Sequence, residues 1–387
     1  MRNRNTRNGV LALVGLAALT VYILACSTSF SPDDTKVLYP AFDGPSGKLC
    51  MAVYNRETSR SETLFLPVDL GVGETNQVKA PLLRAQWLAD GRRVLVGWGT
   101  DNDLAIALVP CGVRGSVKLF YGLSKGGDHL EPLMSAIPVA GKYAFIRESG
   151  KEVLRLDLET GARVQHEFKE EKSDLSLFPA PADRGVFYVC ERDPMVFGRL
   201  DPETFQMTPS MSFTNKTVDG SFFAYDEQGK HIAFVEDTES GPRLVVLEGG
   251  RTIFTRPLAV KEKELSFGNA VFSPKGNALL AGYQLQDASK TNSSFGLMEI
   301  PLSDAPIRRT PLIPAVNTTE SYSALYFQIG VSHDGKTAAV ASTYLAFAAK
   351  DFKPEDCALF FVDLRDAKRK VTKLPIPLPA HLPSMNH

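Results

Sequence analysis

The sequence predicts an all-β chain, a seven-bladed β-propeller of four-stranded antiparallel blades preceded by an N-terminal hydrophobic signal or anchor. Three observations predict it. One turn-and-strand unit recurs seven times, each unit has room for four short strands, and no window of about 11–18 residues past the N-terminus carries a 3.6-residue apolar period.

The first element is an export segment. Arg2, Arg4 and Arg7 precede the uncharged stretch Val10–Ala25, which ends at Cys26. A cationic start followed by a short apolar run is the layout of a secretory signal, and 16 residues fall short of the ~20 that span a bilayer comfortably. Ile23-Leu24-Ala25-Cys26 resembles the lipobox of bacterial lipoproteins, which implies cleavage before Cys26 and lipidation of its thiol. An uncleaved anchor and plain cleavage are the other outcomes. All three leave the arginines on the cytoplasmic side and the rest of the chain beyond the cytoplasmic membrane.

The seven units follow. Clear copies run Phe30–Phe42 (FSPDDTKVLYPAF), Trp87–Trp98, Tyr225–Asp237, Phe272–Tyr283 and Val331–Ser342, with weaker copies at Ile137–Glu148 and Pro179–Arg192. Their turn residues Asp34, Gly91, Gly141, Gly185, Gly229, Gly276 and Gly335 are spaced by 57, 50, 44, 44, 47 and 59 residues. A glycine or aspartate there supplies the positive φ of a tight hairpin. The strand after each turn is rich in Val, Ala, Leu and Phe, as a strand buried on both faces is. A third strand alternates, and in three units it ends on an aspartate that can bond its own backbone: Asp157, Asp201 and Asp363. A more polar outer strand follows, as in Arg163–Phe168, Arg251–Leu258 and Lys370–Ile376. Four strands repeated seven times describe radial repetition around a channel. The expected organisation is residues 1–26 as signal or anchor, 27–376 as propeller and 377–387 as a Pro-rich tail.

The repeat motif at 30–39, with its relatives at 272–283 and 331–341, resembles the WD40-like repeat of bacterial envelope propellers of the Tol-system type. That resemblance covers most of residues 27–376 and implies the propeller fold, with an envelope location. A β-sandwich followed by a second β domain is the structural alternative.

Simple up-and-down alternation places the loop after each second strand on the same face as the loop before each first strand. Acids just past the second strands are Asp43, Asp101, Asp103, Glu148, Glu191, Asp193, Glu236, Asp237, Asp287 and Asp351. They are candidates for an acidic rim that attracts cations or a basic partner, although Arg147, Lys151, Arg192 and Lys350 share those loops and reduce the field. The loop 343–356 carries Tyr344, Phe347 and Phe352, aromatic candidates for a partner contact.

Composition narrows the chemistry. Lys+Arg total 43 against 44 Asp+Glu, so the basic excess of a sequence-independent nucleic-acid binder is missing. No G-x-S-x-G, H-E-x-x-H, Walker or dinucleotide pattern occurs, and no Cys or His spacing fits zinc, so no catalytic residue, cofactor or metal site is expected. His231 and His333 read as turn residues. Cys50, Cys111, Cys190 and Cys357 adjoin apolar runs, which suits buried thiols; in an exported protein three disulfide connectivities are also open. The expectation is a monomeric, membrane-tethered scaffold for a protein or cell-envelope polymer. The alternative is a propeller hydrolase or lyase acting on extracellular carbohydrate through two rim carboxylates.

Overall fold

The computed structural model describes residues 28–42, 49–65, 83–100, 103–112, 117–120, 137–148, 151–168, 175–180, 185–190, 194–213, 218–258, 264–287, 292–317, 328–343, 353–366 and 368–378. They form seven separate four-stranded sheets, each from four consecutive antiparallel strands. Blade 1 comprises β1 (Ser29–Phe30), β2 (Lys36–Phe42), β3 (Leu49–Asn55) and β4 (Arg60–Phe65). Blade 2 comprises β5 (Leu83–Trp87), β6 (Arg93–Thr100), β7 (Asp103–Pro110) and β8 (Lys118–Phe120). Blade 3 has β9 (Val139–Ala140), β10 (Tyr143–Arg147), β11 (Glu152–Asp157) and β12 (Arg163–Glu167). Blade 4 has β13 (Leu175–Pro179), β14 (Val186–Cys190), β15 (Met195–Leu200) and β16 (Met207–Phe213). Blade 5 runs β17 (Val218–Tyr225), β18 (His231–Thr238), β19 (Gly241–Glu248) and β20 (Arg251–Pro257). Blade 6 runs β21 (Glu264–Phe272), β22 (Ala278–Gln286), β23 (Asn292–Pro301) and β24 (Arg308–Asn317). Blade 7 closes the ring with β25 (Gln328–Val331), β26 (Thr337–Ala341), β27 (Ala358–Asp363) and β28 (Val371–Pro375).

The seven turn anchors all adopt positive φ, from 58° at Gly141 to 137° at Gly185, with Asp34 at 59°. In five of them the anchor amide donates to the carbonyl three residues back, at 2.7–3.0 Å. The serine opening the turn explains the Phe-Ser-Pro signature. Ser31 Oγ donates to Asp33 and accepts the Lys36 amide, and Ser332 repeats the pair with Asp334 and Thr337. Both serines are buried. The predicted aspartates close the turn between third and fourth strands: Asp157 accepts the amides of Glu159 and Thr160, Asp201 those of Glu203 and Thr204, and Asp363 that of Arg365.

Burial follows the predicted order across each blade. Second strands β14 and β26 are buried almost throughout, whereas the outer strands β12, β20 and β28 are mostly exposed. Blades 4 and 6 share a device that the repeat reading did not single out. Gly198 and Gly296 sit at bulges opposite Tyr188 and Tyr283. A Cβ at either would lie 2.2–2.3 Å from a carbonyl of the outer strand, so only glycine admits the tyrosine ring.

The core lies between blades. Apolar clusters join blades 2 and 3, 3 and 4, 4 and 5, and 5 and 6, and one larger cluster runs from blade 6 through 7 and 1 to blade 2. The ring therefore closes by packing, with each sheet keeping its own four strands. Near the channel, inner strands are tied across seams. Trp87 Nε1 donates to Ser29 O, Tyr225 Oη donates to Pro179 O, and the Asn269 side chain both donates to Ile329 O and accepts its amide.

Candidate functional site

Alternation of strands gives the ring two faces. The turn face carries the connections from first to second and from third to fourth strands; the loop face carries the remaining connections. β1 runs toward the turn face, so Thr28 lies on the loop face.

Much of the predicted rim lies outside the described residues: Asp43, Asp101, Glu191, Asp193 and Asp351, together with Tyr344, Phe347 and Phe352 of the long loop, and Cys26. Three rim acids are described in full. Glu236 accepts two bonds from Arg243 of the facing strand at 2.5 and 3.2 Å, Glu148 accepts from Gln165 at 2.8 Å, and Asp287 accepts the amide and side-chain nitrogen of Asn292. Each of these carboxylates is engaged within its own blade. Glu236 and Asp237 also lie inside β18, and Asp103 begins β7, where loop positions were expected. The physical reason is that two-residue connections, 101–102 and 239–240, let the ladders continue past the acids: Thr100 pairs with Asp103 and Glu236 with Arg243.

The perturbed carboxylates sit in turns or at the strand ends beside them. A bidentate guanidinium bond from Arg365 holds Asp363 at a pKa of about 2. Burial opposes ionisation of Asp334, yet the Lys336 amide and the Ser332 hydroxyl bring it down to about 2. Amides of Thr160 and Thr204 lower Asp157 and Asp201. Cys50, Cys111, Cys190 and Cys357 are buried, and burial raises the Cys111 and Cys357 thiols to about 12. Thiols so placed are protonated and act as packing groups.

The turn face carries a second recurring feature, cationic staples across seams. Lys118 donates to Leu158 O at 3.1 Å and to Glu159 O, joining blade 2 to blade 3. Arg155 donates to Pro202 O and Glu203 O at 2.8 and 3.0 Å, with its guanidinium 4.5 Å from the Tyr143 ring centroid and 5.2 Å from that of Phe205. Arg199 donates to Gln228 O, and Arg256 to Pro301 O and Ser303 O. Between blades 6 and 7 the buried Arg369 reaches back to Glu299.

At the seam of blades 7 and 1 the pattern changes. Phe361 stands two residues before Asp363, the place that Arg155 and Arg199 hold before Asp157 and Asp201. Thr337 stands two residues after its turn glycine, as Tyr143 does, and Ser59 stands four after Asn55, as Phe205 does after Asp201. Around Phe361 a groove of about 290 Å3 remains, lined by Tyr54, Arg56, Thr337, Phe361, Asp363, Lys370 and Thr372. Its apolar floor is the Tyr54–Phe361 ring pair, centroids 5.3 Å apart. Arg56 donates to Asp34 O of its own blade at 2.7 Å and reaches across the seam to Thr337 Oγ1 at 3.4 Å. Beside the groove, Asp34 clasps the ring: its carboxylate accepts the amides of His333 and Asp334 at 2.9 and 3.1 Å and lies 2.8 Å from His333 Nδ1. The reading of His333 as a surface turn residue thus extends to a role in closure. Nothing local in the sequence marks Tyr54, Arg56, Phe361 or Lys370.

Among the described residues no helix is long and apolar enough to cross a membrane. No protein-family model and no curated protein matches the chain. Among solved structures the chain is similar to Kuenenia stuttgartiensis hydrazine synthase at 12% identity and a TM-score of 0.39, over 90% of this chain and 85% of that one. At that distance nothing about activity passes from one to the other.

Proposed function

We propose that this β-propeller is exported, tethered to a bacterial membrane through its N-terminal segment, and serves as a binding scaffold in the cell envelope, with a protein or envelope polymer as partner. One observation carries the reading: a cationic, then uncharged apolar segment ends at Cys26, three residues before β1 begins. A second consideration supports binding over catalysis. The carboxylates with lowered pKa stand in turns or at the strand ends beside them, each tied to backbone amides or a neighbouring side chain, which is structural employment. In this reading the loop face, where Thr28 lies, is turned to the membrane and the turn face away from it. The loop-face acids and the aromatics of 343–356 are the near-membrane surface for a basic partner.

Crosslinking in the native envelope, followed by identification of captured chains, tests the scaffold role. A reproducible partner supports it; no partner, combined with turnover of a glycan panel by the purified protein, replaces it with the carbohydrate enzyme. The Cys26→Ser variant tests the tether. Loss of lipid labelling and of membrane attachment is expected, whereas attachment unchanged and never labelled identifies an uncleaved helix.

A further inference from the structure

We infer that the groove at the seam of blades 7 and 1 is a docking site for an acidic peptide segment of a partner protein, whose carboxylates meet Arg56 and Lys370 while an apolar side chain rests on Tyr54 and Phe361. This deepens the scaffold reading and rests on it for the kind of partner, but the site itself stands on the groove.

Three observations lead there. First, the groove is open where another seam is filled. Between blades 3 and 4 the Arg155 guanidinium lies between two rings, whereas here Phe361 holds that place and a groove remains beside it. Second, the charge is uncompensated. Asp363, the acid in the lining, is neutralised by the bidentate Arg365. Among the described residues neither Arg56 nor Lys370 forms an ion pair, since Arg56 spends its guanidinium on a carbonyl, a hydroxyl and the Phe30 face, 5.4 Å away. Two cations over an aromatic floor favour an anionic ligand with an apolar side chain. Third, the groove borders β28, the outermost strand of its sheet, whose Thr372 belongs to the lining. Such an edge offers backbone donors and acceptors to an extended chain. The volume is just below the range of about 300–1,000 Å3 usual for small-molecule sites and suits one or two side chains. The position favours a peptide over a lipid headgroup, because the groove opens on the turn face, opposite the side of the proposed tether.

The test is a fluorescence-anisotropy titration of the full-length protein in detergent with a labelled Glu-Glu-Phe-Glu-Glu peptide and its Gln-Gln-Phe-Gln-Gln counterpart, both blocked at their ends. The acidic peptide is expected to bind and the amide peptide to bind at least about tenfold more weakly, the gap narrowing with added salt. Lys370→Glu is expected to weaken the acidic peptide about tenfold, while Lys368→Glu, exposed in the same turn but outside the groove, leaves it unchanged. Phe361→Ala is expected to weaken both peptides. Equal affinity for the two peptides, or equal loss in Lys370→Glu and Lys368→Glu, overturns the inference. So does binding to phosphatidylglycerol vesicles that Lys370→Glu abolishes while the peptide is ignored, which would assign the groove to lipid. A partner found by crosslinking with the groove inert separates failure of this site from failure of the scaffold reading.

Discussion

The seam between blades 3 and 4 and the seam between blades 7 and 1 perform the same task under different conditions. At the first, the chain runs on from one blade to the next, and a single guanidinium from the earlier blade fills the gap. At the second, contacts join residues about 300 positions apart, and closure is distributed over Asp34, the Arg56 guanidinium on Thr337, the Thr343 hydroxyl on Pro40 O, and the close approach of Gly330 to Thr28. The comparison teaches that closure here trades a filled staple for a turn-to-turn clasp, and that an open groove is the by-product. It also explains why one anchor of seven is aspartate: a glycine would meet the φ requirement more cheaply but could not reach across to His333 and Asp334.

The largest expected effect comes from pushing the closing seam apart. A Cβ at Gly330 would lie 2.6 Å from Thr28 O, so Gly330→Val should destabilise the protein by roughly 3 kcal/mol in chemical denaturation. Next is the clasp. Asp34→Gly relieves the positive φ and removes the carboxylate, so it separates the two roles. A net loss of about 1–2 kcal/mol is expected, and a gain in stability would mean that the clasp is idle. Converting the interior seam to the closing type, by Arg155→Phe, should cost about 1 kcal/mol, less than the clasp because the apolar cluster between blades 3 and 4 remains. The smallest effect is acid. Asp334 and Asp363 have folded pKa values of about 2, and Asp157 and Asp201 are lowered too. Groups depressed in the folded state contribute stability above the ordinary Asp value of about 3.9, and lose it as pH falls through the folded values. Thermal midpoints should fall from about pH 4 toward pH 2, and Asp334→Asn should flatten that slope without moving the midpoint above pH 5 by more than about 4 °C.

What was legible in the sequence is what turn chemistry writes locally. Seven anchors and three turn aspartates could be placed because each acts within five residues of itself, and the second strands because burial on both faces selects a continuous apolar run. The ends of the ladders were less legible. Glu236 and Asp103 look like loop residues until the two-residue connections beside them are known. The staples and the clasp left no local trace, because Arg155, Arg199, Arg256 and Asp34 are ordinary residues whose partners lie in another blade. The groove left none either, because the place of Phe361 is apolar in other units too, as Val53, Leu108 and Val246.

The brevity of β1 has a mechanical consequence. Only two residue pairs, Ser29 with Leu38 and Phe30 with Val37, hold this strand to its sheet, and Trp87 adds one bond from the side. Tension applied to the chain ahead of Thr28 acts on one end of that strand and opens its pairs singly, in peeling geometry. The load then arrives at the Asp34 turn, where the next resistance is the clasp to blade 7 and the seven pairs of β2 with β3. The ring would yield first at the strand that begins it, by a few residues, and keep six blades intact.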